Sequence, residues 1–157
     1  MHEVLGDLVD LAKQGGFDVI CHGANCFHVM GAGVALAIAR AFPEAVHADQ
    51  DTPYGDRGKL GTLSLAPVRL PFGKRVIVAN LYTQFSYGNG DDLDMEALAE
   101  ALDTVNREFA GKRVGLPRIG CGLAGGDWKE VRSMMEDCLR DCDVTIVKFH
   151  RDFPKEG

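Results

Sequence analysis

The stretch HGANCFHVMGAGVALAIARAFPEA, residues 22–45, joins the end of a strand to an alanine-rich run through a loop that carries Gly31 and Gly33. Alanine and leucine at this density predict a helix from about Gly33 to Phe42, and Pro43 opens a second short helix in PEAVHADQ. Just upstream, FDVICHG at 17–23 is almost continuously apolar, as a strand covered on both faces must be. A strand, a glycine loop and a helix start in succession form a ready anion site, because the first N–H groups of a helix are unpaired and lie at its positive end.

The same alternation continues in both directions. HEVL (2–5) reads as a strand and DLVDLAKQGG (7–16) as a helix ended by Gly15 and Gly16. GTLSLAPV (61–68) and RVIVANLYTQ (75–84) read as strands, the second strongly β-branched. In DMEALAEALDTVNREFAG (94–111), Leu98, Leu102, Val105 and Phe109 recur at helical spacing, and Gly111 ends the run. RVGLP (113–117) is a strand, DWKEVRSMMEDCLRD (127–141) a helix and VTIVKFH (144–150) a last strand. Strand followed by helix throughout predicts an α/β fold with a largely parallel sheet, whose ligands sit outside the carboxyl ends of the strands. At that end stand two glycine loops, MGAGVA after the second strand and RIGCGLAGGDW after the fifth, and a pyrophosphate between them is the physical expectation.

Composition narrows the function. The 157 residues suit one domain over 1–157, with 46% apolar and 25% charged residues as in ordinary globular chains. Five cysteines with no CxxC pair predict neither a disulfide framework nor a standard zinc site, so a cytoplasmic location, no metal and no cofactor are expected. A net charge of -6 with scattered lysines and arginines makes nucleic acid an improbable partner, and no apolar run approaches the roughly 20 residues of a membrane span. GAGVAL is not a dinucleotide fingerprint, since Leu36 stands where a third glycine belongs, and the GxxxxGK of a phosphate-loop NTPase is absent.

The combination of GDL (6–8), GANCFHVMGAGVALAIARAFPEA (23–45), KLGTLSLAPV (59–68), VANLYTQF (78–85) and PRIGCGLAGGDW (117–128) resembles the macro domain, the ADP-ribose-binding fold. The resemblance is strongest to the compact branch of ADP-ribose-1''-phosphate phosphatases, terminal ADP-ribose glutamate hydrolases and phage macro proteins. It implies a mixed, mostly parallel sheet in a three-layer α/β/α sandwich, with ADP-ribose or its 1''-phosphate as ligand. Asp7, followed by Leu8, matches the acid that receives the adenine amino group. Asn25 matches the distal-ribose asparagine. Gly31, Ala32, Gly33 and Val34 match the first phosphate loop, and Ile119, Gly120, Cys121, Gly122, Leu123 and Ala124 the second. An aromatic near the last strand flanks adenine in the family, for which Phe149 is the first candidate and Phe153 the second. By pattern alone, Asp7 is equally a helix N-cap, Asn25 a turn residue and Phe149 a core residue.

Departures from the family decide the expected chemistry. Gln84 and Ala124 stand where the glutamate hydrolases carry a lysine and an acid, so release of ADP-ribose from glutamate is not expected. His22 stands where phosphatase members resemble it, and a neutral imidazole there would take a proton from water attacking the 1''-phosphate, with Asn25 beside it. His28 is the reserve base. Asp127 reads as a helix N-cap, and Cys121 as a small residue rather than a nucleophile. The expected function is a metal-independent hydrolase of a 1'' derivative, with a non-catalytic reader of ADP-ribose, or a hydrolase that removes ADP-ribose from modified macromolecules, as the alternatives.

Overall fold

The computed structural model describes residues 1–150. Its elements run β1 (His2–Gly6), α1 (Leu8–Lys13), β2 (Val19–Ala24), α2 (Gly33–Ala41), α3 (Pro43–Gln50), β3 (Leu63–Arg69), β4 (Arg75–Tyr82), α4 (Met95–Glu108), β5 (Arg113–Leu116), α5 (Trp128–Cys138) and β6 (Asp143–Phe149). The strands form one sheet in the order β1-β6-β5-β2-β4-β3. Every neighbouring pair is parallel except β3 and β4.

That antiparallel pair corrects the uniform strand–helix alternation read from the sequence. Two helices, α2 and α3, follow each other, and β3 then turns directly into β4 through residues 70–74. A connection this short can only reverse the chain, because a parallel return needs a crossover of a dozen residues or more.

Helices cover both faces of the sheet, giving the α/β/α layers. On one face α4 and α5 supply Leu98, Leu102, Val105, Val131 and Met135, packed against Val19, Cys21, Leu81, Val114 and Ile146. On the other, α1, α2 and α3 supply Leu8, Ala12, Ile38 and Ala45 against Ile20, Val76, Val78 and Val147. The alternation of each strand divides the two sets, since successive side chains point to opposite faces. No helix among the described residues is long and apolar enough to cross a membrane.

Candidate functional site

Parallel strands deliver their following loops to one edge of the sheet. Across that edge the order is the start of α1 beside the end of β6, then loop 118–126 after β5, then loop 25–32 after β2, then loop 83–93 after β4. β5 and β2 are neighbours, so the two glycine loops are adjacent.

Loop 25–32 begins pinned and ends open. Asn25 is buried and spends its amide on its own turn: Oδ1 accepts from the amides of Phe27 (2.9 Å) and Val29 (3.4 Å), and Nδ2 donates to the Val29 carbonyl at 2.8 Å. His28 takes a left-handed φ of 58°, its Nε2 donating to the Thr52 carbonyl at 2.8 Å and its ring against Tyr54. Phe27 packs edge-on between Tyr54 and Phe85. Beyond these anchors the amides of Met30, Gly31, Ala32, Gly33, Val34 and Ala35 have no hydrogen-bond partner among the described residues. Asp7, Asp94 and Asp127 cap α1, α4 and α5 with their side chains, whereas Ala32 gives α2 no such cap. Gly33 has a φ of 57°, and open space lies where a Cβ would stand.

Loop 118–126 is tied from within. Gly126 donates to the Gly120 carbonyl (2.7 Å), Gly125 to that of Gly122 (3.2 Å) and Cys121 to that of Arg118 (3.1 Å). The amides of Gly120, Gly122, Leu123 and Ala124 are left without partners among the described residues. Gly125 is required by geometry, because at its φ of 77° a Cβ would collide with the Gly90 carbonyl oxygen. Cys121 donates its thiol to the Ile119 carbonyl, and burial raises its pKa, which suits a packing residue and not a nucleophile.

At the far end of the edge, Gly6 pairs with Phe149, which brings Phe149 next to the residue that precedes Asp7. Asp7 caps α1, its Oδ1 accepting from the Asp10 amide at 3.1 Å, and Leu8 is buried behind it. Phe149 is 46% exposed, against the core position that its alternation with Val147 predicts. Phe153 lies outside the described residues.

His22 is 1% exposed and faces α3 from the middle of the sheet edge, not the open surface. Asn80 donates through Nδ2 to the Ala45 carbonyl and Ser64 Oγ, so its Oδ1 accepts, and His22 Nε2 donates to it at 2.6 Å. His22 Nδ1 has no hydrogen-bond partner within normal geometry among the described residues. Burial moves the His22 pKa below its ordinary value, and the Asn80 bond and the Asp49 charge only partly restore it. The chain of bonds continues from Ser64 Oγ to the Tyr82 hydroxyl (2.9 Å) and from that hydroxyl to Asp49 Oδ1 (2.7 Å). Lys59, 4% exposed, sits over the Tyr82 ring at 4.5 Å and donates to the Cys26 carbonyl at 3.5 Å. Asp49 also receives Thr52 at its backbone carbonyl, and Thr52 holds His28.

Gln84 donates to the Ser86 carbonyl and bridges Leu93, so its amide supports loop 83–93. Asp127 accepts from the Lys129 amide as the cap of α5. Asn80, Tyr82, Asp49, Ser64 and Lys59 escape the sequence reading. The one local signal was an asparagine inside the apolar run VIVANLY, where a polar side chain needs a buried partner.

Residues 21–135 match the family model described as the macro domain. A 17.5 kDa protein of the tk-vs intergenic region of Enterobacteria phage T4 is 34% identical over 150 residues, covering 92% of this chain and 93% of that protein. The macrodomain of Mycobacterium tuberculosis DarG superposes with a TM-score of 0.74 at 22% identity, over 93% of this chain and 95% of that one. Thermosipho africanus DarTG in complex with ADP-ribose superposes with a TM-score of 0.69 at 15% identity, over 99% of this chain and 43% of that one. The sheet order, the two adjacent glycine loops and the match across residues 21–135 agree, and the chain belongs to the macro domain family.

Proposed function

We propose that this protein binds ADP-ribose along the carboxyl edge of its sheet. The observation that carries the reading is the pair of neighbouring amide rows, Met30–Ala35 and Gly120 with Gly122–Ala124, that donate to nothing else among the described residues. Two neighbouring rows of unpaired donors suit the two phosphates of a pyrophosphate, and the uncapped α2 adds its positive end. In this reading adenine lies between Asp7 and Phe149 and the distal ribose near Asn25, which the order of loops along the edge supports. Because Asn25 is already bonded within its loop, its part is to shape the ribose pocket. Titration calorimetry tests the reading: ADP-ribose binds at one site per chain, AMP binds at least about tenfold more weakly, and Gly33→Glu abolishes binding in a folded protein. Equal affinity for the two ligands, or an unaffected Gly33→Glu variant, would mean that the loops hold something else.

A second reading adds hydrolysis of ADP-ribose-1''-phosphate, and His22 is what favours it. Burial favours the neutral imidazole, and with Nε2 donating to Asn80 the ring lone pair lies on Nδ1, where it would accept a proton. In that reaction water attacks phosphorus, the bond from phosphorus to the 1'' oxygen breaks, and ADP-ribose and inorganic phosphate leave. Near-complete burial of His22 requires the water to reach Nδ1 from the ribose pocket. Phosphate release lowered about a hundredfold in His22→Ala, with ADP-ribose affinity within a few-fold, supports the enzyme. Binding with no release above buffer between about pH 5 and 9, the range in which a histidine base would act, leaves the reader.

A further inference from the structure

At the other end of the sheet, the β3–β4 hairpin combines three features that each cost the free protein something. Phe72 and Gly73 occupy the centre of a tight turn in which the Lys74 amide reaches the Pro71 carbonyl at 3.4 Å. Phe72 has φ 62° and ψ 31°, and Gly73 has φ 73°. These are the angles of a type I′ turn, which asparagine or glycine fills without strain and a bulky aromatic does not. The Phe72 ring is also 99% exposed, so it recovers nothing by packing. Finally, Arg69 and Arg75 stand directly opposite each other as the last pair of the ladder, an arrangement of like charges that destabilises a hairpin.

No ion pair offsets these charges among the described residues. Lys13, Arg69, Lys74 and Arg75 are exposed, and none has an acidic partner in ion-pair range among the described residues. Val68 and Val76 pair on the buried face, so the alternation sends Arg69 and Arg75 to the opposite face. The Lys74 side chain instead runs past Gly15, at the end of α1 near Lys13. Cations thus cluster at the base of the hairpin whose tip carries the ring. Beside them is a concavity of about 330 Å³ lined by Lys13, Glu44 and Arg69 around Phe42, Val68 and Leu70. Charges alone would serve to guard an edge strand such as β3 from pairing with other chains. A strained and bare aromatic at the tip works against that purpose.

We infer that this hairpin is a second binding site, separate from the glycine loops, and that its ligand is single-stranded nucleic acid. A base stacks on the Phe72 ring while flanking phosphates meet Arg69, Arg75, Lys74 and Lys13. An exposed aromatic between cations is the recurrent platform for unpaired strands, and it is tolerant of sequence because every base has a π-face. The footprint is local, so it coexists with a net charge of -6.

Fluorescence anisotropy with labelled oligomers of deoxythymidine and uridine, about a dozen nucleotides long, tests the site at low and moderate salt. The intact protein binds one or both oligomers, with affinity falling as salt rises. Phe72→Asn weakens binding roughly tenfold with little change in salt dependence. The same variant melts a few degrees higher, because asparagine accepts the left-handed turn. Arg69→Gln with Arg75→Gln lowers the salt slope by about one to two. ADP-ribose affinity stays unchanged in all of these variants, which separates this site from the cleft. No binding at low salt, or binding indifferent to both sets of variants, overturns the inference. So does tighter attachment of phosphatidylserine vesicles or polyglutamate through the same residues, which would assign the hairpin to a lipid surface or an acidic protein.

Discussion

The two faces of the sheet are built from the same strands and solve different problems. Along β2 and β4, Cys21, Ala79 and Leu81 point toward α4 and α5 into a wholly apolar layer. The alternate residues His22, Asn80 and Tyr82 point toward α3 into a hydrogen-bonded chain with Ser64 and Asp49, with buried Lys59 over the Tyr82 ring. Apolar contacts tolerate some sliding, whereas a satisfied polar network admits few arrangements and is costly when incomplete. The α4–α5 face is held by apolar contacts, whereas the α1–α3 face adds to its own apolar core a network that holds the segment leading to loop 25–32.

Truncation on the apolar face should give the largest loss of stability and the least specific one. Leu102→Ala, at a site with no solvent exposure, is expected to cost about 2 to 5 kcal/mol in urea unfolding, combining lost burial with the cavity left behind. The folded fraction should bind ADP-ribose within about twofold of the parent, a change too small to signal a lost contact. A coupled loss of affinity would show that the two faces are not separable in this way.

On the polar face the loss should be smaller and more selective. Asp49→Ala removes the acceptor of the Tyr82 hydroxyl and leaves Lys59 buried over that ring, at an expected cost of about 1 to 3 kcal/mol. It also loosens the end of α3, where the Asp49 carbonyl holds Thr52 and Thr52 holds His28. ADP-ribose affinity should accordingly fall several-fold, unlike that of Leu102→Ala. Tyr82→Phe, which keeps the ring under Lys59, should show the same pattern at about 1 kcal/mol. If affinity survives both substitutions, the network stabilises the fold without positioning the loop.

The contrast also marks what could be read in the sequence. Apolar pattern, helix-forming composition and Gly and Pro stops together locate the strands and helices of the sandwich, and a residue such as Leu102 announces its role by its spacing to Leu98 and Val105. The polar network was illegible for the opposite reason. His22, Asp49, Ser64, Asn80 and Tyr82 meet only in the folded chain, and an isolated Asp in PEAVHADQ reads as a solvated helix end. The β3–β4 reversal was obscured because Phe72 stands where a hairpin turn usually shows asparagine. Phe149 looked like core by alternation, yet its strand partner is Gly6, which has no side chain to cover it. The glycine loops were legible through their composition and family pattern, but not the division between bonded and unpaired amides, which depends on turns closed by Gly125 and Gly126.

The smallest expected effect is the one that singles out His22, and it concerns pH. Burial disfavours the imidazolium, so the folded-state pKa of His22 lies below its ordinary value near 6.5, while the unfolded chain keeps that ordinary value. Above about pH 6.5 both states are neutral at this residue, and its titration has no effect on stability. As pH falls below that value the unfolded chain takes up a proton that the folded protein refuses. Stability then declines until the folded-state pKa is passed. On the apolar face the buried Cys21 thiol has its pKa pushed upward by burial, away from this range. His22→Gln should therefore flatten the part of the stability profile between neutral pH and about pH 5, below the ordinary histidine value, measured by urea unfolding at a series of pH values. The substitution also disturbs the Asn80 bond, so its offset in stability at pH 8 is subtracted before the slopes are compared. An undiminished slope in His22→Gln would place the acid sensitivity elsewhere and remove the evidence that this histidine is held neutral.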